Sequence, residues 1–236
     1  VNVMTRLLRT IALVFVGALV ASGCAFGHHH AYHLGSPAVA RGSSSVALFV
    51  GDARESVLMG GNPAVVGVSR GGFGNPFDVI TASDQPLADD LAVSIRRGLE
   101  AAGYRVIPVR APPRAREETV VGALARAGAE RLLFFEIAEW KSDTLMRTRF
   151  NYDVTLRVYD AQGRKIGRAR IADSDVLGNE MNVETIYVRK LEALLNDYTI
   201  RRALAPTPPA PESAPPPAPA ATPPADAPSV TPVPAS

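Results

Sequence analysis

Residues 147–160 read Arg147-Thr148-Arg149-Phe150-Asn151-Tyr152-Asp153-Val154-Thr155-Leu156-Arg157-Val158-Tyr159-Asp160. Phe150, Tyr152, Val154, Leu156 and Val158 alternate with Arg149, Asn151, Asp153, Thr155 and Arg157. Successive side chains of a strand point to opposite faces, so this period of two predicts a half-buried β-strand. Asp160-Ala161-Gln162-Gly163 supplies hairpin-turn chemistry, and Arg164 to Asp173 returns as the next strand. Upstream, Arg131 to Trp140 opens with Leu132-Leu133-Phe134-Phe135, an unbroken apolar run that predicts a strand buried on both faces. Three consecutive strands of this kind make a meander.

Further toward the N-terminus the period becomes helical. Leu87, Leu91, Ile95 and Leu99 share one face, Ala92 and Ala102 widen it, and Gly103 ends it. Asp84 is placed to cap this helix, with Pro86 in its first turn and Asp89 and Asp90 near its positive end. Tyr104 to Val109 follows as a strand, Pro112-Pro113 breaks the chain, and Glu117 to Gly128 makes a second helix with Val120, Val121 and Leu124 inward. A third helix, 180–203, carries Val183, Tyr187, Leu191, Leu194, Leu195 and Tyr198 on one stripe. Ser45 to Val50 reads as the first strand, and the glycine-broken stretch 56–82 fits short strands near 64–69 and 77–81. The order β-(β-β)-α-β-α-β-β-β-α predicts an α/β sandwich: a mixed sheet with a C-terminal β-meander, packed by three helices. Ending on a meander argues against a doubly wound dinucleotide-binding fold.

This domain, 45–204, is flanked by segments of other composition. Residues 205–236 contain 13 Pro and 9 Ala among 32, with two acids. Proline removes backbone donors and fixes φ, so a disordered, extended polyproline-like tail is expected, reaching on the order of 100 Å. Residues 24–44, with His28, His29, His30 and His33 and ending in Ser43-Ser44, read as a flexible tether. The single Cys excludes an internal disulfide and every multi-cysteine metal site. Formal charge is +2. Without residues 1–23, which hold Arg6 and Arg9, 23 basic residues balance 23 acidic ones. Long-range attraction to nucleic acid is therefore not supported.

Residues 1–23 have the form of a secretory signal: Arg6 and Arg9, then the uncharged run Ile11 to Ala21, then small residues. The run is too short for a membrane span, which needs about 20 apolar residues. Val20-Ala21-Ser22-Gly23-Cys24 resembles the lipobox of bacterial lipoproteins. That resemblance implies a diacylglyceryl thioether on Cys24, cleavage before it, and acylation such as palmitate on the new N-terminus. Ala25 stands where the inner-membrane retention signal of such proteins has Asp, which implies the outer membrane and a periplasmic-facing body. The lipobox, Ala88-Asp89-Asp90-Leu91 with Leu99-Glu100-Ala101-Ala102-Gly103-Tyr104-Arg105-Val106, and the Tyr159–Gly163 hairpin together look like YajG-type bacterial lipoproteins. The element order is similar to the periplasmic domains of CsgG-type lipoproteins and penicillin-binding-protein activators. The resemblance carries no catalytic residue, and the proline tail is not part of its pattern.

Candidate chemistry is sparse. Gly67-Val68-Ser69-Arg70-Gly71 matches a G-x-S-x-G nucleophile turn, but Gly72-Phe73-Gly74-Asn75-Pro76 comes next instead of a helix, and every His lies upstream. His28, His29, His30 and His33 present imidazoles suited to Zn²⁺, Cu²⁺ or Ni²⁺, with no carboxylate close in sequence to orient them. Glu136 and Glu139, three apart on one strand, are expected on opposite faces; Asp173 and Asp175 are expected on the same face. Arg149, Arg157, Arg164, Arg168 and Arg170 fall toward one outer sheet face as a candidate binding patch, or as a solvated surface with cross-strand pairs to Asp153. The chain reads as a noncatalytic, lipid-anchored envelope lipoprotein without a cofactor. It would bind or scaffold another envelope protein or peptidoglycan. The alternative is a metal-binding accessory lipoprotein using His28–His33.

Overall fold

A computed structural model describes residues 29–71, 73–112, 114–178 and 182–205. The signal segment 1–23, Cys24, His28 and the tail from 206 on lie outside the described residues. In chain order the elements are β1 (His29–His30), a 3-10 turn (Tyr32–Leu34), β2 (Ser45–Asp52), α1 (Glu55–Leu58), β3 (Val65–Arg70), β4 (Pro76–Thr81) and α2 (Leu87–Ala101). They continue with β5 (Arg105–Pro108), α3 (Glu117–Arg126), β6 (Arg131–Thr144), β7 (Thr148–Asp160), β8 (Lys165–Leu177), α4 (Val183–Leu195) and α5 (Tyr198–Leu204).

The eight strands form one mixed sheet in the α/β sandwich expected from the element order. β6 is its spine. One edge of β6 pairs with β7 in antiparallel register along its whole length, from Arg131 opposite Asp160 to Thr144 opposite Thr148. The other edge is divided: parallel β2 takes Arg131 to Ile137, and parallel β3 takes Ser142 to Thr144. β5 extends the sheet beyond β2, β4 and β1 extend it beyond β3, and β8 lies outside β7.

The larger core lies under α2, α4 and α5. Leu87, Leu91, Ile95 and Leu99 of α2 are all buried against Leu133, Phe135, Ile137, Trp140 and the inward row of β7 from Phe150 to Val158. On the opposite face α3 covers a smaller core, in which Val120 and Leu124 meet Ala47, Leu132, Phe134 and Tyr159. Leu132 and Phe134 face one core while Leu133 and Phe135 face the other, which accounts for the unbroken apolar run at the start of β6.

Several local expectations are corrected. Asp84 does not cap α2; it stands in a left-handed turn at φ 58°, and Pro86 occupies the cap position without a side-chain bond. The C-terminal helix is two helices, because Asp197 starts a new one by accepting from the backbone N–H groups of Thr199 and Ile200. Tyr198 is consequently 77% exposed instead of continuing the apolar stripe. With α1 added, there are five helices rather than three among the described residues.

The segment expected to be a flexible tether is, from His29 onward, folded against the body. Tyr32 is fully buried and meets Trp140 and Tyr187 edge-on, with ring centroids 5.9 and 4.9 Å apart. The Tyr187 hydroxyl donates to the Tyr32 carbonyl at 2.7 Å. Asn196 brackets the chain further along, donating to the Ala38 carbonyl and accepting from the Ala40 N–H. Close approach needs Gly98 in mid-helix: a Cβ there would lie 2.3 Å from the Pro37 carbonyl oxygen.

Gly98→Ala therefore sets two effects against each other. Helix propensity gains about 1 kcal/mol, while overpacking against backbone costs about 1–3 kcal/mol. Net destabilisation in urea unfolding, with loss of amide protection at residues 35–40, is the expected outcome.

Candidate functional site

Parallel strands leave a crevice beyond their carboxyl ends. β2 and β5 end at Asp52 and Pro108, and α1, the first half of α2 and the loop 108–115 wall a cleft of about 730 Å³ above them. Leu48, Val50, Ala92, Val93 and Val109 give it an apolar floor; Arg96, Arg110 and Arg114 stand exposed at its rim. Arg114 holds a left-handed backbone at φ 62°, and its guanidinium donates to the Leu58 carbonyl, tying the loop to α1. Asp52 is already engaged. The buried Arg54 grips it through Nε–Oδ1 at 2.8 Å and Nη2–Oδ2 at 2.6 Å, while also donating to the carbonyls of Pro63 and Val65. Among the described residues lining the cleft there is no Ser, Thr, Cys, His, Lys or Tyr. Asp89 of α2 adds an exposed carboxylate to the lining, so the cleft offers an apolar floor flanked by charged groups, which suits binding of apolar groups beside charge.

A nucleophile–base–acid geometry does exist elsewhere. His30 Nδ1 lies 3.1 Å from Glu184 Oε1, and His30 Nε2 lies 3.3 Å from Ser142 Oγ. With Nδ1–H donating to the carboxylate, Nε2 accepts from the hydroxyl, the pattern of a Ser-His-acid triad. Access decides against that chemistry. Ser142 is 0% exposed, and its Oγ lies under the Gly67 backbone, 2.0 Å from where a Cβ on that residue would sit. The neighbouring cavity touches His30 and Glu184 but not Ser142. A reacting carbon has no place beside the hydroxyl, so the cluster joins β1, β6 and α4 as a clamp. Its members are 112 and 154 residues apart in the chain, and no local motif announces them.

Of the N-terminal histidines, His29, His30 and His33 are not brought together as a metal-binding group. His29 is exposed, His30 belongs to the clamp, and His33 Nδ1 lies 3.6 Å from Asp90 Oδ2. No group of three metal-binding side chains forms among the described residues. Ser69, the G-x-S-x-G serine, sits in β3 opposite Phe77 and Thr144.

Arg149, Arg157, Arg168 and Arg170 share the outer face of β7 and β8, with Arg157 directly opposite Arg168 and Arg170 opposite Thr155, whereas Arg164 lies in the turn between the two strands. Their charge is largely spent there. Arg170 makes a bidentate pair with Asp153, at 2.8 and 2.6 Å, which holds that carboxyl below its usual range. Arg157 reaches Glu136 at 3.1 Å and Glu117 at 3.6 Å, and Arg164 reaches Asp160 at 2.7 Å. Arg149 stands opposite Asp143, across from it on β6. Glu136 and Glu139 overturn the expectation of opposite faces. A bulge at Ala138 inserts one extra residue, so Glu136 opposite Thr155 and Glu139 opposite Asp153 both point outward. Asp173 and Asp175 share a face as expected, and Asp175 is paired with Lys190 at 2.7 Å.

No protein-family model matches the chain, and no curated protein matches it in sequence. Among solved structures it is similar to a DUF330-family protein of Xanthomonas campestris at 13% identity, with a TM-score of 0.40 over 75% of this chain and 90% of that one. Lipoprotein GNA1162 of Neisseria meningitidis is similar at 14% identity and a TM-score of 0.33, covering 64% of this chain and 95% of that one. The LpoB C-terminal domain of Escherichia coli is similar at 12% identity and a TM-score of 0.31, covering 61% and 90%. Likeness at this level transfers no function.

The clamp generates a pH prediction. The hydrogen bond to His30 holds the Glu184 carboxyl below its ordinary value of 4.5, against the opposing effect of burial. A carboxyl whose folded value is lowered stabilises the fold above its unfolded value, and that stabilisation disappears as pH falls through the folded value. Acidification below about 4.5 should thus loosen β1, seen as faster amide exchange at residues 29–34, and Glu184→Gln should remove that acid dependence.

Proposed function

We propose that this chain is a lipid-anchored, periplasm-facing envelope protein. Its α/β body binds or scaffolds another envelope component without catalysing a reaction. The observation that carries the noncatalytic reading is the contrast between the two sites. The roomy one, the cleft at the ends of β2 and β5, has carboxylates and guanidinium groups but no hydroxyl, thiol, imidazole or amine side chain among its described lining residues. The one with a nucleophile is sealed around Ser142. The anchor rests on Val20–Cys24, with the outer membrane as its destination because Ala25 is next in the chain.

The cleft chemistry also narrows the partner. Its apolar floor and three rim arginines favour a segment that presents apolar side chains beside carboxylates, as an envelope protein does. Peptidoglycan offers carboxylates with far less apolar surface and fits less well. The proline-rich residues beyond 205 are read as a spacer. His28, His29, His30 and His33 enter this proposal as part of the N-terminal connection, not as a metal site.

Metabolic labelling with radioactive palmitate tests the anchor. Wild-type protein should carry label and fractionate with outer membrane, and Cys24→Ser should be unlabelled and retained as the unprocessed form. Label persisting on the Cys24→Ser chain would refute it.

A further inference from the structure

One end of the sheet carries an unusual surface. β3 runs parallel to β6, with Ser69 opposite Thr144, so the β3–β4 turn and the β6–β7 turn project side by side from the same end. The two tips expose Phe73 at 99%, Met146 at 92% and Leu145 at 59%, with Phe77 behind them and Val176 of β8 beside Arg149. Arg70 and Asp143 lock the tips together through a bidentate pair of 3.0 and 2.9 Å. Arg147 and Arg149 stand exposed at the same end. Exposed apolar tips ringed by arginine have the chemistry of a surface that enters the headgroup region of a bilayer.

The chain's own path selects a lipid surface as the occupant. β1 is parallel to β4, with His29 opposite Ile80 and His30 opposite Thr81. The N-terminal end of β1 at His29 therefore points back toward Pro76, the tip end of β4. Ile80 is about 13 Å from that end, at about 3.3 Å per strand residue. Cys24 precedes His29 by five residues, a reach of at most about 18 Å. An acyl anchor on Cys24 leaves the folded body no long leash and brings this end of the sheet to the membrane.

We infer that the Phe73 and Leu145–Met146 hairpin tips are a membrane-docking surface that inserts beside the lipid anchor and fixes the orientation of the body. The inference rests on the anchor reading for its geometry. Docked this way, the opposite end of β7, thirteen residues and roughly 40 Å away, points from the bilayer.

The test uses full-length mature protein in vesicles of phosphatidylethanolamine and phosphatidylglycerol that contain brominated acyl chains. The native Trp140 is fully buried and gives a constant background. Phe73→Trp and Met146→Trp should show blue-shifted emission that the bromolipid quenches. Ala161→Trp, in the hairpin at the far end, should be unaffected. Exchanging Phe73 and Met146 for Ser should lower vesicle partitioning of the unacylated Cys24→Ser chain by roughly tenfold per residue. Acylated protein that floats with vesicles while the Met146→Trp probe is unquenched, or quenched no more than Ala161→Trp, overturns the docking surface and leaves the anchor standing. Equal protection of these probes without lipid, with doubling of mass in solution, would assign the tips to a second copy and also overturn it. Absence of acyl mass on Cys24 overturns the anchor reading instead, and the Met146→Trp quenching at raised vesicle concentration then decides the tips alone.

Discussion

Everything in this fold is arranged around the hydrogen-bonding demand of one strand. β6 runs for fourteen residues, and each edge must be satisfied along that length, since an unpaired buried backbone group costs about 1–3 kcal/mol. β7 satisfies one edge outright. No single parallel neighbour satisfies the other: β2 stops at Asp52 opposite Ile137, and β3 begins pairing at Ser142. The Ala138 bulge falls beside this change of partner. It shifts the facing pattern by one residue, so that Ile137 and Trp140 both enter the larger core and Ala138 and Glu139 both face out. Without that shift Trp140 would sit on the charged face, and the aromatic cluster that receives Tyr32 would have no centre.

That cluster explains why the N-terminal segment belongs to the body. Tyr32, Trp140, Phe150 and Tyr187 meet mostly edge to face, and each aromatic pair of this kind contributes about 0.5–1.5 kcal/mol beyond its buried area. The His30 clamp adds polar bonds at the sheet edge, and Arg97 gathers the carbonyls of His33, Leu34 and Gly35. A strand of two residues has too few ladder bonds to hold an edge unaided. The buried Tyr32 ring and the Arg97 contacts, immediately downstream in the chain, keep β1 in place.

The meander, α2 and both cores are legible in the sequence because their signals are local: a period of two from Phe150 to Val158, a period of about 3.6 from Leu87 to Leu99, and a doubly buried run at Leu132–Phe135. The bulge is not, because Ala138 differs from its neighbours in nothing but its pairing. The N-terminal segment hides its packing for a related reason. Its glycines and serines have linker composition, yet a Cβ on Gly35 or Gly42 would collide with Tyr187 or Tyr104, and Ser44 is buried. The clamp and the cleft depend on residues far apart in sequence, so neither leaves a motif. The break at Asn196-Asp197 does have a signal: an Asp before Tyr198-Thr199 is a helix start, masked by an apolar stripe that continues past it.

The distribution of charge fits a body with distinct ends. Along β7 and β8 the arginines are answered by carboxylates within the sheet, and such partly exposed pairs contribute only modestly to stability. Their stronger effect is to offset much of the positive charge on this face, where Arg168 stands exposed beside them. Arginine also gathers at two places: the hairpin tips, where exposed Arg149 stands opposite an Asp143 already paired with Arg70 and Arg147 is exposed nearby, and the rim of the cleft, where Arg96, Arg110 and Arg114 stand with Asp89 around an apolar floor. Both combine cation with apolar surface, but their shapes differ. Convex tips suit an extended fluid surface, and a concave cleft of about 730 Å³ suits a discrete segment. The docking and the partner binding proposed above would therefore use two surfaces of different shape.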